Sequence, residues 1–493
     1  MRRSLLSALA LTVAVAAPAA WAATINGTKG NDRIAVQENG VKDRVRCGGG
    51  RDIVTADLDD VVAADCETVS RQISKDTTTG FLSQHATQVE PDSFAVGRTI
   101  VAVFQSGRYA NGGADAIGWA TSRDAGRTWR SGFLTSAEER VSDPAVAYDA
   151  VHGTWLIVVL GVSSSGLDIL ISRSPDGVTW SPATATASPP PGAEGFDKEW
   201  IACDNWPSSP FRGRCYLAYL NVDTNQLETR WSGDGGLTWS AATTVPAGTV
   251  PRSEVNGAFP VVRPDGSLVV AFMVIAPFPS PDDWIGASRS SDGGVTFAPA
   301  TRVADLWLDD VVGMRSPPLP SADVDASGRV YVSWHGCVLD GCTASDIVLA
   351  TSTDGLTWSR AVRVPTRNPG DPTAQFLPGL AVEPGTAGRT ARVAIAYYSL
   401  RDSSTCALTD CPGLNVNVIQ SANGGSTWTQ PSRLTAAAMR LSWLADGGIG
   451  KMVGDYISTS WVGGRPIPIF SLASPPSGFD TLRQSMFAGV QIG

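Results

Sequence analysis

Charge and histidine are both scarce in this chain of 493 residues: Asp, Glu, Lys and Arg make up 17% of it, and there are three histidines. His85, His152 and His335 lie in separate segments, and neither an H-E-x-x-H zinc helix nor a G-x-S-x-G nucleophile turn accompanies them. Basic residues are not in excess either. With 38 Lys and Arg against 47 Asp and Glu, the formal charge is -9, which argues against nucleic acid or an anionic membrane as partner. Past the N-terminus no apolar run approaches the roughly 20 residues that cross a bilayer, so no membrane insertion of the mature chain is expected. No C-x-x-C pair occurs, which removes the usual zinc framework. What is abundant is Gly (51), Pro (32) and Trp (16), a balance suited to turn-rich β structure held by aromatic packing.

Met1 to Ala22 reads as a secretory signal peptide, with Arg2-Arg3 ahead of an apolar core from Leu5 to Ala17 and a small-x-small site at Ala20-Trp21-Ala22. Cleavage near Ala22 predicts a secreted protein. Export agrees with the cysteines, which fall beside one another as Cys47 and Cys66, Cys203 and Cys215, Cys337 and Cys342, and Cys406 and Cys411. Short-loop disulfides between these neighbours are expected in an oxidising compartment, rather than a metal cluster.

One stretch organises the rest. Ser122-Arg123-Asp124-Ala125-Gly126-Arg127-Thr128-Trp129 recurs in recognisable form around Asp176, Asp234, Asp292, Asp354 and Asn423, at separations of 52, 58, 58, 62 and 69 residues. That is a repeat architecture. Asp or Asn before Gly suits a tight turn whose amides the side chain accepts, and the Thr-Trp that follows starts the next strand. The pattern S-x-D-x-G-x-T-W resembles the Asp-box repeat of bacterial neuraminidases. The resemblance implies an all-β, sialidase-like β-propeller in which these boxes are outer turns remote from the active site.

Seven polar openings each precede a short apolar strand. They begin at Gln88, Ser142, Asp197, Asn256, Arg315, Gln375 and Gly454, and the last is followed by no box. Seven openings with six boxes favour seven blades, the last completed by a strand from the start of the domain, with six blades as the alternative. The propeller is expected over residues 73–493. Residues 23–72 differ: Gly48 to Val54 approaches the G-G-x-G-x-D pattern, and Asp-x-apolar units recur at Asp43, Asp52 and Asp60. This segment resembles a degenerate hemolysin-type calcium-binding β-roll. Calcium at Asp32, Asp43 and Asp52 stands against a metal-free cap stapled by Cys47 and Cys66.

Inner strands of a propeller start at one end of its channel, so Glu90, Asp92, Arg140, Asp143, Asp197, Lys198, Glu199, Arg252, Glu254, Arg315, Gln375, Asp455 and Tyr456 should share one mouth. Sialidase resemblance implies three arginines for a sugar carboxylate (Arg140, Arg252, Arg315) and a Tyr nucleophile (Tyr456). It also implies a Glu to assist the Tyr (Glu199 or Glu90) and an Asp acid/base (Asp143), with Lys198 and Asp455 beside the substrate. The family's early F-R-I-P motif is absent. No cofactor is required by this scheme. The chain is expected to be a monomer that meets a glycan either as an exo-sialidase-like glycosidase or as a non-catalytic propeller binding glycan or protein at a cell surface.

Overall fold

A computed structural model describes residues 22–37, 40–248, 253–277, 282–308, 311–337, 344–401, 412–477 and 481–491. The signal-peptide segment lies outside them apart from Ala22. Among the described residues the structure is all-β, with two short 3-10 turns, and no helix is long and apolar enough to cross a membrane.

Six antiparallel sheets follow the chain, each with four strands in sequence order. Their inner strands are Gln84–Val96, Arg140–Asp149, Phe196–Cys203, Glu254–Val262, Ser321–Val324 and Thr373–Val382, which begin blades 1 to 6. A seventh sheet runs Ser458–Val462, Arg465–Ala473, Gln484–Gln491, and its fourth, outer strand is Thr68–Gln72 from the other end of the chain. The seven inner strands pack in turn, and Ser458–Val462 meets both Thr373–Val382 and Gln84–Val96, closing the ring. Closure by an N-terminal strand covers the edge of Gln484–Gln491, which would otherwise offer unpaired amides to another molecule.

Apolar alternation explains the layers. Leu156, Val158 and Leu160 pack on blade 3 residues such as Leu217 and Tyr219, whereas Ile157 and Val159 turn to blade 1 residues Val101 and Val103. Successive strand side chains point to opposite faces, so one strand feeds two interblade cores.

The boxes lie between third and fourth strands. In blade 3, Ser232 Oγ donates to Asp234 Oδ1 at 2.8 Å, and Thr238 N and Thr238 Oγ1 donate to the same carboxylate at 2.9 and 2.6 Å. Those bonds hold Asp234 down at about 2, although its partial burial acts the other way. Gly236 adopts φ +81°, and a Cβ there would come within 2.7 Å of Leu156 in blade 2, so each box rests on the preceding blade. The boxes are staples, as their outer placement implies.

The N-terminal segment is a small roll of two parallel sheets, Thr24–Asn26 with Arg44–Arg46 and Val61–Val62, and Arg33–Ala35 with Ile53–Ala56 and Thr68–Gln72. Cys47 and Cys66 are bonded across its core. Its carboxylates are used by backbone. Ala23 N donates to Asp43 at 2.7 Å, Asp32 N to Asp52 at 2.7 Å, and Thr28 N to Asp32 at 2.5 Å. Among the described residues no three acidic, His or Cys groups converge as a metal set. Cys203–Cys215 joins the first two strands of blade 3, and Cys337 is also disulfide-bonded. Cys342, Cys406 and Cys411 lie outside the described residues.

Two outcomes test this account. Asp234→Ala should cost about 1–2 kcal/mol in chemical denaturation, since a turn's amides lose their acceptor, and an unchanged midpoint would count against the staple. A chain begun at Lys75 should melt at lower temperature and associate at high concentration, measured by calorimetry and light scattering. Melting equal to the full chain would show that Thr68–Gln72 does not close the ring.

Candidate functional site at the channel mouth

Five inner strands share a backbone device. The pairing register of the first and second strands slips between Val89 and Asp92, Ser142 and Ala145, Asp197 and Trp200, Asn256 and Phe259, and Phe376 and Gly379. Two residues there face one on the partner strand, and the first of the two is left-handed each time: Glu90 (φ 55°), Asp143 (46°), Lys198 (49°), Gly257 (73°) and Leu377 (52°). In three bulges the next residue is Pro91, Pro144 or Pro378, which has no N–H to withdraw from the ladder. Left-handed backbone is costly for residues other than Gly, by roughly 1 kcal/mol or more, and persists where surroundings demand it. Here the bulge re-aims three charged side chains toward the channel.

Those three are met by others from blades 5 and 7. Arg315 forms a two-pronged pair with Asp455, Nε to Oδ1 at 2.8 Å and Nη2 to Oδ2 at 2.5 Å, and its Nη1 donates to Gly447 O at 3.3 Å. Asp455 N donates to Glu90 Oε1 at 3.3 Å, and Gln105 Nε2 donates to Glu90 Oε2. Gln105 also reaches Ser142 Oγ at 3.0 Å and accepts from Arg108 Nη1 at 3.1 Å. Lys198 Nζ lies 4.0 Å from the ring centre of Trp200 and 3.9 Å from that of Tyr456, a cation clasped by two aromatic faces.

Burial sets the protonation of the mouth. Glu90 is 1% exposed, and loss of water raises its carboxyl well above the usual range, with Asp143 and Asp455 adding to the effect. Glu199 is fully buried, its two carboxyl oxygens find no hydrogen-bond partner among the described residues, and burial raises it likewise. Asp197 is only half-buried. Desolvation and then the charge of Asp143 lift it to about 7, against a hydrogen bond from Asn256 Nδ2 at 3.3 Å and the charge of Lys198. Lys198 is pushed below its ordinary value by burial, opposed by Asp143, Glu199, Glu90 and Asp455.

Glu90, Asp143, Lys198, Glu199, Arg315, Asp455 and Tyr456 are thus brought together. Arg140 does not join them: its guanidinium stacks on Tyr109 at 4.1 Å and donates to Asn111 Oδ1 at 2.9 Å, held by a neighbouring loop of blade 1. Arg252 lies outside the described residues. Glu254 is exposed at the start of blade 4, and Gln375 turns back to Thr373 O at 3.0 Å. Asp92 points farther down the channel, accepting from Val146 N at 2.8 Å. Tyr456 is buried, its hydroxyl donates to Pro144 O at 3.3 Å, and burial followed by nearby carboxylates raises its phenol well above normal. His335 is structural: Nε2 donates to Ser316 O at 3.0 Å, Nδ1 accepts from Leu377 N at 3.3 Å, and burial lowers it to about 4. Gln105 and Arg108, on a second strand, were not legible as site residues, because no opening pattern marks them.

No protein-family model matches the chain, and no curated protein matches it. Solved structures do. An ulvan lyase of a new polysaccharide lyase family, bound to -[GlcA(1-4)Rha3S]-, aligns with TM-score 0.50 and 10% identity over 82% of this chain and 94% of that one. The phage phi92 endosialidase aligns with TM-score 0.50 and 12% identity over 96% of this chain and 76% of that one. At these identities the likeness shows the fold, an all-β propeller.

The Arg315–Asp455 pair is the testable joint of the mouth. A double-mutant cycle with Arg315→Gln and Asp455→Asn should give a coupling of about 1–3 kcal/mol by urea denaturation. Additive effects would mean the pair holds nothing together.

Proposed function

We propose that this chain is a secreted, glycan-active propeller that hydrolyses a glycosidic bond beside an acidic sugar at the channel mouth. One observation carries the reading: Asp197 is a half-buried carboxyl that titrates near 7 next to a second carboxyl, Asp143. A carboxylic acid that keeps its proton near neutral pH can donate it to a departing glycosidic oxygen while a neighbouring carboxylate stabilises positive charge on the sugar or activates water. Arg315 and Lys198 supply the cations that an acidic sugar needs. Support also comes from the two structures above, described as an ulvan lyase bound to -[GlcA(1-4)Rha3S]- and an endosialidase. The disulfides accord with export. The sialidase assignment of Tyr456 as nucleophile receives no support from its hydrogen bonding, and the acid role moves to Asp197.

A second reading is favoured by a specific feature. The free space among Lys198, Trp200, Asp455 and Tyr456 is about 20 Å³, too little for a sugar ring without movement, which suits a non-catalytic propeller that binds glycan at its rim.

Turnover of aryl sialosides and aryl glucuronides separates the two. A general acid must be protonated, so activity should fall as pH rises through about 7. Asp197→Asn should lower kcat by about 10²–10⁴-fold and remove that limb, while Arg140→Ala leaves kcat within about twofold, as expected of a residue outside the reacting group. Unaltered rates in Asp197→Asn, or no turnover of any acidic glycoside by the native chain, would remove the catalytic reading.

A further inference from the structure

Below the mouth the channel widens again. Trp200 packs edge-on against Tyr456 at 5.0 Å and tilted against Phe259 at 4.7 Å, forming an aromatic floor under the charged cluster. Beneath this floor lies a chamber of about 450 Å³, to which all seven inner strands contribute. It continues toward the opposite face of the ring, where residues 205–207 and 384–385 line it. Volume of this order is ample for a small organic molecule.

The chamber's chemistry is one-sided. Its walls are mainly apolar and aromatic, including Trp200, Phe259 and Trp461, with serine hydroxyls between them, and no Lys, Arg or His lines it among the described residues. Its titratable lining groups are two carboxyls on different walls, Asp92 and Asp323. Asp92 accepts from Val146 N at 2.8 Å and Ser458 Oγ at 3.1 Å, and it feels the charge of Lys198 through the floor. Asp323 has no such help. It accepts from Val382 N and Val324 N at 2.7 and 2.8 Å, makes no ion pair among the described residues, and its charged neighbour is another acid, Asp325. Burial lifts it to about 6, so at pH 8 it is ionised. Asp323 is half-buried in the chamber wall, and a carboxylate partly withdrawn from water without a counter-charge gains from a cation beside it.

We propose that this lower chamber is a binding site for a small organic ammonium ion, its charge on Asp323 and its apolar body against Trp200, Phe259 and Trp461. The site is separate from the mouth and does not depend on whether the mouth is catalytic. An acidic sugar, the ligand class inferred for the mouth, is excluded from it by charge.

Three probes of one shape test the assignment at pH 8: cyclohexylammonium, cyclohexanol and cyclohexanecarboxylate, titrated into the full secreted chain with tryptophan fluorescence and calorimetry. Saturable binding of the ammonium is expected, about tenfold or more tighter than the alcohol, with the carboxylate weakest. In Asp323→Asn, which keeps an oxygen acceptor for Val382 N, that preference for ammonium over alcohol should collapse to about twofold or less. The preference is a ratio within one variant, so a partly unfolded sample does not imitate its loss, and thermal melts report the folded fraction. Equal binding of ammonium and alcohol by the native chain, tighter carboxylate binding, binding of none of the three, or an ammonium preference that survives Asp323→Asn would each overturn the proposal.

Discussion

The constraint on which the rest depends is the early break in the ladder of five inner strands. An innermost strand pairs on one side only, and a regular strand would send its side chains alternately into the two interblade cores. By setting two residues opposite one and turning the first of the two left-handed, blades 1, 2 and 3 direct Glu90, Asp143 and Lys198 at the axis instead. Blades 4 and 6 use the same device with Gly257 and Leu377, so the ring has a charged side and an apolar side. Ring closure then forces these groups together at one opening. Glu90, Asp197 and Glu199 lose water there and hold protons that a surface acid would release.

The same ring explains why two ends of one channel differ so sharply. At the mouth, carboxyls are interleaved with Lys198, Arg315 and Arg108, and much of their charge is answered locally. Past the aromatic floor of Trp200, Tyr456 and Phe259, the carboxyl of Asp323 is answered by backbone amides alone. Low dielectric makes the first arrangement a tight network and the second a demand for a counter-ion. Neither end uses the Asp boxes, whose acids are held low by their own turns and serve only to fasten blade to blade.

Much of the fold was readable because its signals are local. Each box closes its hydrogen bonds within a few residues, from Ser232 to Thr238 for example, so the motif survives in sequence intact. The short apolar strands and the Cys47–Cys66 and Cys203–Cys215 bonds were legible for the same reason, whereas the strand that completes the ring, Thr68–Gln72, lies within the 23–72 segment read as a separate unit and pairs across the length of the chain. The bulges left a fainter mark in Glu90-Pro91, Asp143-Pro144 and Leu377-Pro378. What could not be read is what depends on long-range partners. Arg315 finds Asp455 across 140 residues, and Arg140, equally well placed along its strand, is taken by Asn111 and Tyr109 in an adjoining loop. Asp32, Asp43 and Asp52 have spacing that serves a metal or an amide equally, and only the roll's geometry shows each of them accepting a backbone amide.

The central claim is that the closed ring gathers acids into a water-poor opening and so alters when they ionise. Carbon-13 labelling of the aspartate carboxyls, followed by NMR from pH 3 to 9, measures this directly. The account predicts a carboxyl resonance with its midpoint near 7 that disappears in Asp197→Asn. A spectrum in which every aspartate titrates below about 5, as free carboxyls do, would contradict it.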